Sequence, residues 1–379
     1  MCIRDRFFGC GLLVVGTAPT MTVLLLGRLL QGLGSGALIV GLYVLVARLY
    51  PPALHPSVFA GFAAAWVLPG LVGPLIAGAV TSAFGWHWVF IGALGLCVPV
   101  VAMIVPSLRR LGPQTAVAGQ HRVPWSFRRM AWAGAAAVAV VGLNLLSEFP
   151  AGVSAAVGVA AIVVLVVALR PLLPVGTLRA ARGVPALVLL RGLVGAAFIG
   201  CDVYLPYLLS AHYGFAPAAS GLTLTFGSLS WASASWVQGR LGDRVTQLAG
   251  IRIGIVLVVL GVSSAVATAS AHLNPAVVIA GWAVTGFGMG FMYPRFSVLT
   301  LRWSGEDERG FNSSALTISD SAGSAIVLAL TGAAFGMLGG AEISVAFVAC
   351  FTIAGAAGLL ALVASGRATR AGGSRAGVA

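Results

Sequence analysis

The sequence predicts an all-α, polytopic membrane protein with about twelve transmembrane segments. Composition is the first reason: 59% of the 379 residues are hydrophobic and only 8% are charged, far from the balance of a soluble domain. The second is pattern, because apolar runs near the roughly 20 residues needed to cross a bilayer recur along most of the chain. The third is a glycine-rich, arginine-bearing stretch that occurs twice at long range, a sign of a carrier built from related halves.

Composition also limits partners. The net charge of +13 comes from arginine alone, and it is read as arginines holding cytoplasmic loops inside rather than as a nucleic-acid surface. The five cysteines, Cys2, Cys10, Cys97, Cys201 and Cys350, show no Cys-x-x-Cys spacing. Neither a disulfide framework nor a metal site is indicated. No His-Glu-x-x-His, Gly-x-Ser-x-Gly or phosphate loop occurs, so neither an enzyme nor a cofactor is expected. The partners expected are a small-molecule substrate, protons and the lipid bilayer, with the protein a monomer.

In order, the expected spans are 7–16, 22–47, 57–83, 88–106, 129–147, 151–169, 185–211, 217–239, 251–270, 274–301, 310–338 and 343–366. The apolar run behind Met1–Arg6 has no small-residue cleavage site, so it is not a signal peptide. With twelve crossings, one side of the membrane receives 107–128, 170–184, 240–250 and the tail, all rich in arginine. The other side receives the loops near His87, Glu148, His212, His272 and Glu342, which lack it. This positive-inside pattern places both termini in the cytoplasm of a cell whose inner or plasma membrane holds the protein.

The second span carries Leu24-Leu-Leu-Gly-Arg28-Leu-Leu-Gln31-Gly32-Leu-Gly34-Ser-Gly36. Arg28, Gln31 and Ser35 share a helical face, and Gly32, Gly34 and Gly36 let a neighbouring helix approach. The competing reading is a packing helix whose arginine snorkels. Gly286-Phe-Gly-Met-Gly290 repeats the triplet, and Arg48 and Arg302 follow the two copies at matching distance. The copies lie on spans eight apart instead of six, so two extra spans stand between the halves. The division expected is 1–106 as an incomplete N-terminal bundle, 107–184 as a cytoplasmic loop with two extra central helices, 185–366 as a six-helix bundle and 367–379 as a tail. By the same count the first half is two helices short of the second.

Four segments carry a family resemblance. Leu24-x-x-x-Arg28-x-x-Gln31-Gly32-x-Gly34 resembles the fourth-helix motif of the major facilitator superfamily, and the chain is most similar to its 14-span drug:proton antiporter branch. Pro69-Gly70-Leu-Val-Gly73-Pro74-Leu-Ile-Ala77-Gly78 resembles the fifth-helix antiporter motif, with Pro69 and Ala77 where the family has glycines. Gly239-Arg-Leu-Gly-Asp243-Arg244 resembles the loop between the second and third helices of a half, and Trp86-His-Trp-Val-Phe90 also fits. The resemblance implies a two-bundle fold, proton coupling at Arg28 and conformational roles for Gly32, Gly34, Gly36, Gly70, Gly73, Pro74, Gly78, Gly239, Asp243 and Arg244. Independently, the mid-helix Gly73-Pro74 bends its helix, while Asp243 is equally readable as a solvated charge.

Ionisable residues well inside a span are Arg28, Asp202, Arg295 and Asp320; Arg191 lies nearer an inner end and is read as snorkelling. Asp202 sits beside Tyr204, Pro206 and Tyr207, a setting that suits a proton carrier. Ser228, Trp231, Ser235 and Gln238 form a polar and aromatic stripe that lines either a substrate cavity or a helix contact. Gln31, Tyr204 and Tyr207 are further cavity candidates. Ser313, Thr317, Asp320, Ser324 and Thr331 return to one face of the 310–338 helix, opposite Ala315, Ile318, Ala322, Ala325 and Ala329. Counting rise, Arg295 is roughly 9 Å and Asp320 roughly 15 Å in from the cytoplasmic end, within bridging range.

The expected function is proton-coupled efflux of small hydrophobic or drug-like compounds by alternating access. A proton-coupled importer, or a transport-inactive sensor or assembly protein of the same fold, are the alternatives.

Overall fold

The structure is a computed structural model that describes residues 3–51, 83–110, 126–144, 151–241, 244–340 and 344–369, with isolated residues between 54 and 81. The expected span 57–83, including Gly70, Pro74 and Gly78, therefore lies outside the described residues except for isolated positions such as Gly73. Asp243 lies outside them as well.

Helices account for nearly all the described chain, and no strand occurs among the described residues. They are α1 (Ile3–Gly16), α2 (Met21–Leu49), α3 (His87–Arg110), α4 (Phe127–Asn144), α5 (Ala151–Leu172), α6 (Val184–Asp202), α7 (Leu205–Tyr213), α8 (Pro217–Leu241), α9 (Gln247–Ala271), α10 (Pro275–Trp303), α11 (Arg309–Met337) and α12 (Ser344–Ser365). Among the described residues, five stretches are long and apolar enough to cross a bilayer: Val184–Tyr213, Gln247–Ala271, Pro275–Trp303, Glu306–Met337 and Ser344–Ser365. Leu260, Leu359, Leu360 and Val363 stand exposed on these helices, as a lipid-facing surface requires.

The chain forms two compact units. In the first, α1 packs on α2 and α3. Gly34 makes the α2 approach possible, since a Cβ there would overlap the backbone of Phe8, whereas Gly32 and Gly36 face open space. One glycine of the triplet, not three, therefore carries the α1–α2 contact.

The second unit takes α4 to α12. Its core joins Leu165 of α5 to Leu187 and Leu190 of α6, Trp282 and Phe296 of α10, and Phe347 and Phe351 of α12. The central pair α4–α5 thus packs into the same core as the later helices. Here the glycine triplet works on two sides. A side chain at Gly286 or Gly290 would run into the backbone of Gly227 or Trp231 on α8, and one at Gly288 would press on the Gly254 carbonyl of α9. Alternate positions of one helix face different neighbours, so α10 is wedged between α8 and α9.

Prolines shape two of these helices. Pro206 sits in the first turn of α7, and the span breaks at Val203–Tyr204 just after Asp202. Pro294 lies inside α10 and has no N–H to give the carbonyl four residues back. That carbonyl belongs to Gly290, and the Ser235 hydroxyl of α8 donates to it at 3.1 Å.

Candidate functional site

The polar centre of the second unit is built from three helices. Asp320 stands mid-way along α11, opposite Gly195 of α6. A Cβ at Gly195 would overlap the Asp320 carboxylate, and the two backbones come together where Gly192 meets Gly323. The small residues therefore open a slot that the carboxylate fills. Tyr293 of α10 reaches it from the other side, its phenol O–H lying 2.7 Å from Oδ1 and 2.8 Å from Oδ2. Arg191, one turn before Gly195, places Nε 3.6 Å from Oδ2. Its guanidinium lies 3.3 Å over the Tyr293 ring and donates to the Tyr293 carbonyl at 3.3 Å. The cation thus stacks on the ring whose hydroxyl holds the anion.

The unit borders a cavity of about 390 Å³ lined by Gly195, Phe198, Ile199, Trp231, Met289, Tyr293, Asp320, Ser321, Ser324 and Leu328. Its volume falls in the range of small-molecule sites. Trp231 meets both Phe198 and Tyr293 edge-on, with ring centroids 5.4 and 5.1 Å away, and Phe198 stacks on the buried Trp282. The lining is mostly apolar and aromatic. Among the described residues Asp320 is its only charge; Arg191 pairs with the carboxylate without lining the cavity. The Asp320 side chain is 25% exposed and that of Arg191 12%, so the anion is the member open to a ligand.

The expected Asp320–Arg295 pair does not form. Arg295 is fully buried and donates to the carbonyls of Phe291, Val245 and Thr246, with Gly250 of α9 clearing its space. Arg295 lies two positions after Tyr293, roughly 200° of helical rotation. If one faces α11, the other must face α9. Arg191, read as snorkelling, is instead the cation of the site.

Other expected residues sort by place. Trp231 and Ser324 line the cavity with Asp320, and Ser321 joins them. Ser235 serves the α8–α10 contact, while Gln238 and Thr317 are half-buried and do not line the cavity. Thr331, also buried, donates to the Val327 carbonyl of its own helix. Of the face suited to packing or lipid, Ala315, Ala322 and Ala325 are buried. Tyr204 and Tyr207 cluster with Phe335. Asp202 is half-buried where α6 ends and does not line the cavity. In the first unit Arg28 is exposed on α2, donates to Gln31 at 3.1 Å and lies 5.3 Å over the Phe90 ring. Gly239 has open space around it. Among the described residues no group of three or more His, Cys, Asp or Glu side chains is placed to hold a metal.

Tyr293 and Arg191 went unrecognised as site residues in the sequence. The available signal was Arg191-x-x-x-Gly195, which puts a cation one turn from a residue small enough to admit a carboxylate.

Apolar helices that hold an ion pair beside an aromatic cavity fit a membrane transporter. The chain belongs to the Major Facilitator Superfamily, matched over residues 4–273 and 187–376. It is 29% identical to the "Probable multidrug-efflux transporter Rv1634" of Mycobacterium tuberculosis (strain ATCC 25618 / H37Rv), covering 93% of this chain and 78% of that one. It is 21% identical to the "Multidrug efflux pump SdrM" of Staphylococcus aureus (strain N315), covering 77% and 65%. The fold is similar to the human organic anion transporter MFSD10 (TM-score 0.65, 15% identity, 96% of this chain and 75% of that one). It is also similar to a bacterial homologue of the iron transporter ferroportin in an outward-facing state (TM-score 0.63, 15% identity, 96% and 82%).

Proposed function

We propose that this protein is a secondary carrier that exports small hydrophobic compounds in exchange for protons by alternating access. The observation that carries the reading is the Asp320 carboxylate, which shares one ion pair with Arg191 and opens onto the aromatic cavity. A carboxylate there has two competing partners, a proton and a cargo molecule, and an antiporter needs that competition. Intramembrane acids mark ion pathways by default. The names of the relatives support export.

Arg28 with Gln31, and Asp202 at the α6–α7 break, are proposed as further proton-coupling groups. The glycines and Pro74 of 70–78, together with Gly239, Asp243 and Arg244, are proposed as conformational elements. The proposal also takes the protein as a monomer of the cell membrane with both termini cytoplasmic.

The test uses the full chain in proteoliposomes with the lipophilic dye ethidium and an imposed pH gradient. Asp320→Asn should abolish gradient-driven ethidium accumulation while the protein stays monodisperse in detergent. Accumulation at the wild-type rate in that variant would sink the reading. An importer of the same fold would take up dye with protons moving the same way, so reversing the gradient separates the two directions.

A further inference from the structure

We infer that Tyr293 is the positioning residue that couples the charge on Asp320 to the shape of the cavity, with Gly195 as the residue that makes the coupling possible. The inference rests on the reading of Asp320 as the proton site. Tyr293 alone among the site residues contacts all three parts. Its hydroxyl reaches both oxygens of the carboxylate, its face supports the Arg191 guanidinium, and its ring stands against Trp231 in the cavity wall. Arg191 does not line the cavity and Trp231 is not among the hydrogen-bond partners of Asp320. Asp320 and Gly195 also line the cavity, but the Tyr293 ring is the side chain that touches the carboxylate, the guanidinium and Trp231 together.

The step is a simple proton addition. A proton from the aqueous phase forms an O–H bond on one carboxylate oxygen, and no other covalent bond changes. The phenol then loses its charged acceptor, and the attraction that holds Arg191 to the carboxylate is lost with it. The ring loses the anion on its hydroxyl while Arg191 keeps its hold on the ring face and on the Tyr293 carbonyl, so ring and guanidinium shift together against Trp231. A bound molecule that presses on the Tyr293 ring acts through the same contacts in reverse, as reciprocity requires.

Gly195 supplies the slot. With a Cβ at that position the carboxylate is driven off α6 and away from its place under the phenol. The helix crossing itself is set elsewhere, by the backbone contact of Gly192 with Gly323. Ser321 and Ser324 of α11 line the cavity with the carboxylate; Arg191 is the only cation within salt-bridge distance among the described residues.

The test reads protonation directly. Infrared difference spectra of the purified full chain, titrated with pH, should contain a carboxyl band that is missing in Asp320→Asn. Tyr293→Phe keeps the ring and removes the hydroxyl. One hydrogen bond to the charged carboxylate is lost, so the carboxylate stretching bands that pair with that band in the difference spectrum should change position. Gly195→Ala should displace them too. Unchanged carboxylate bands in Tyr293→Phe overturn the assignment of Tyr293 and leave Asp320 as the proton site. Absence of any band lost in Asp320→Asn overturns the reading beneath it, and the inference with it.

Discussion

Asp320 was legible because it is the only acid in a serine and threonine stripe on an apolar helix, and that pattern needs no structure to see. Its partners were not. Rise along a helix places residues in depth, and depth alone made Arg295 a candidate; rotation excludes it, because Tyr293 and Arg295 cannot face the same neighbour. A tyrosine hydroxyl within a run such as Phe291-Met-Tyr-Pro294 gives no sequence signal at all. The distinction is measurable in thermal unfolding of detergent-purified protein. Arg191→Gln and Asp320→Asn should each lower the midpoint, and the double variant should recover part of the loss. That corresponds to a coupling of between about 0.5 and 3 kcal/mol. Arg295→Gln should lower the midpoint by removing the donor to the Val245 carbonyl, and should show no coupling to Asp320→Asn.

Helices and their glycines were read correctly in kind, since hydropathy and small-residue spacing are local properties. Which glycines matter is a tertiary fact: Gly34 is in close contact and Gly32 and Gly36 are not, while all three of Gly286, Gly288 and Gly290 are. Gly286→Ala and Gly290→Ala should therefore each destabilise by about 1–3 kcal/mol through overpacking, whereas Gly239→Ala, with open space around it, should leave the unfolding midpoint near wild type. The Pro294–Ser235 pair gives a second prediction for these helices. Ser235→Ala strands the Gly290 carbonyl and should cost about 1–3 kcal/mol. In a Pro294→Ala background the helix can satisfy that carbonyl itself, so most of the cost should disappear. Equal costs in both backgrounds would show that Ser235 does not serve the proline gap.

Across the molecule, the repeat carries the proposed halves and the arginine asymmetry the proposed membrane orientation, and both are sums over many residues rather than local patterns. The association of α4–α5 with the later helices was not visible, since it depends on Leu165 and its neighbours meeting α6, and no local pattern states which bundle an apolar helix will join. The arginine asymmetry predicts that a fluorescent protein fused after Ala379 matures in cells and that a phosphatase fused there, which needs an exported location, stays inactive. The reverse result would invert the topology. It would also place the Arg302 and Arg309 end of the site on the outer side.

The exchange itself is tested most directly by following pH and dye together in one vesicle. Proteoliposomes are loaded with ethidium, diluted into dye-free buffer at equal pH, and monitored for luminal pH. Antiport predicts that protein-dependent dye exit acidifies the lumen in the wild type, and that Asp320→Asn abolishes the acidification. Dye exit at constant luminal pH, exit accompanied by alkalinisation, or the same acidification in Asp320→Asn would each contradict it.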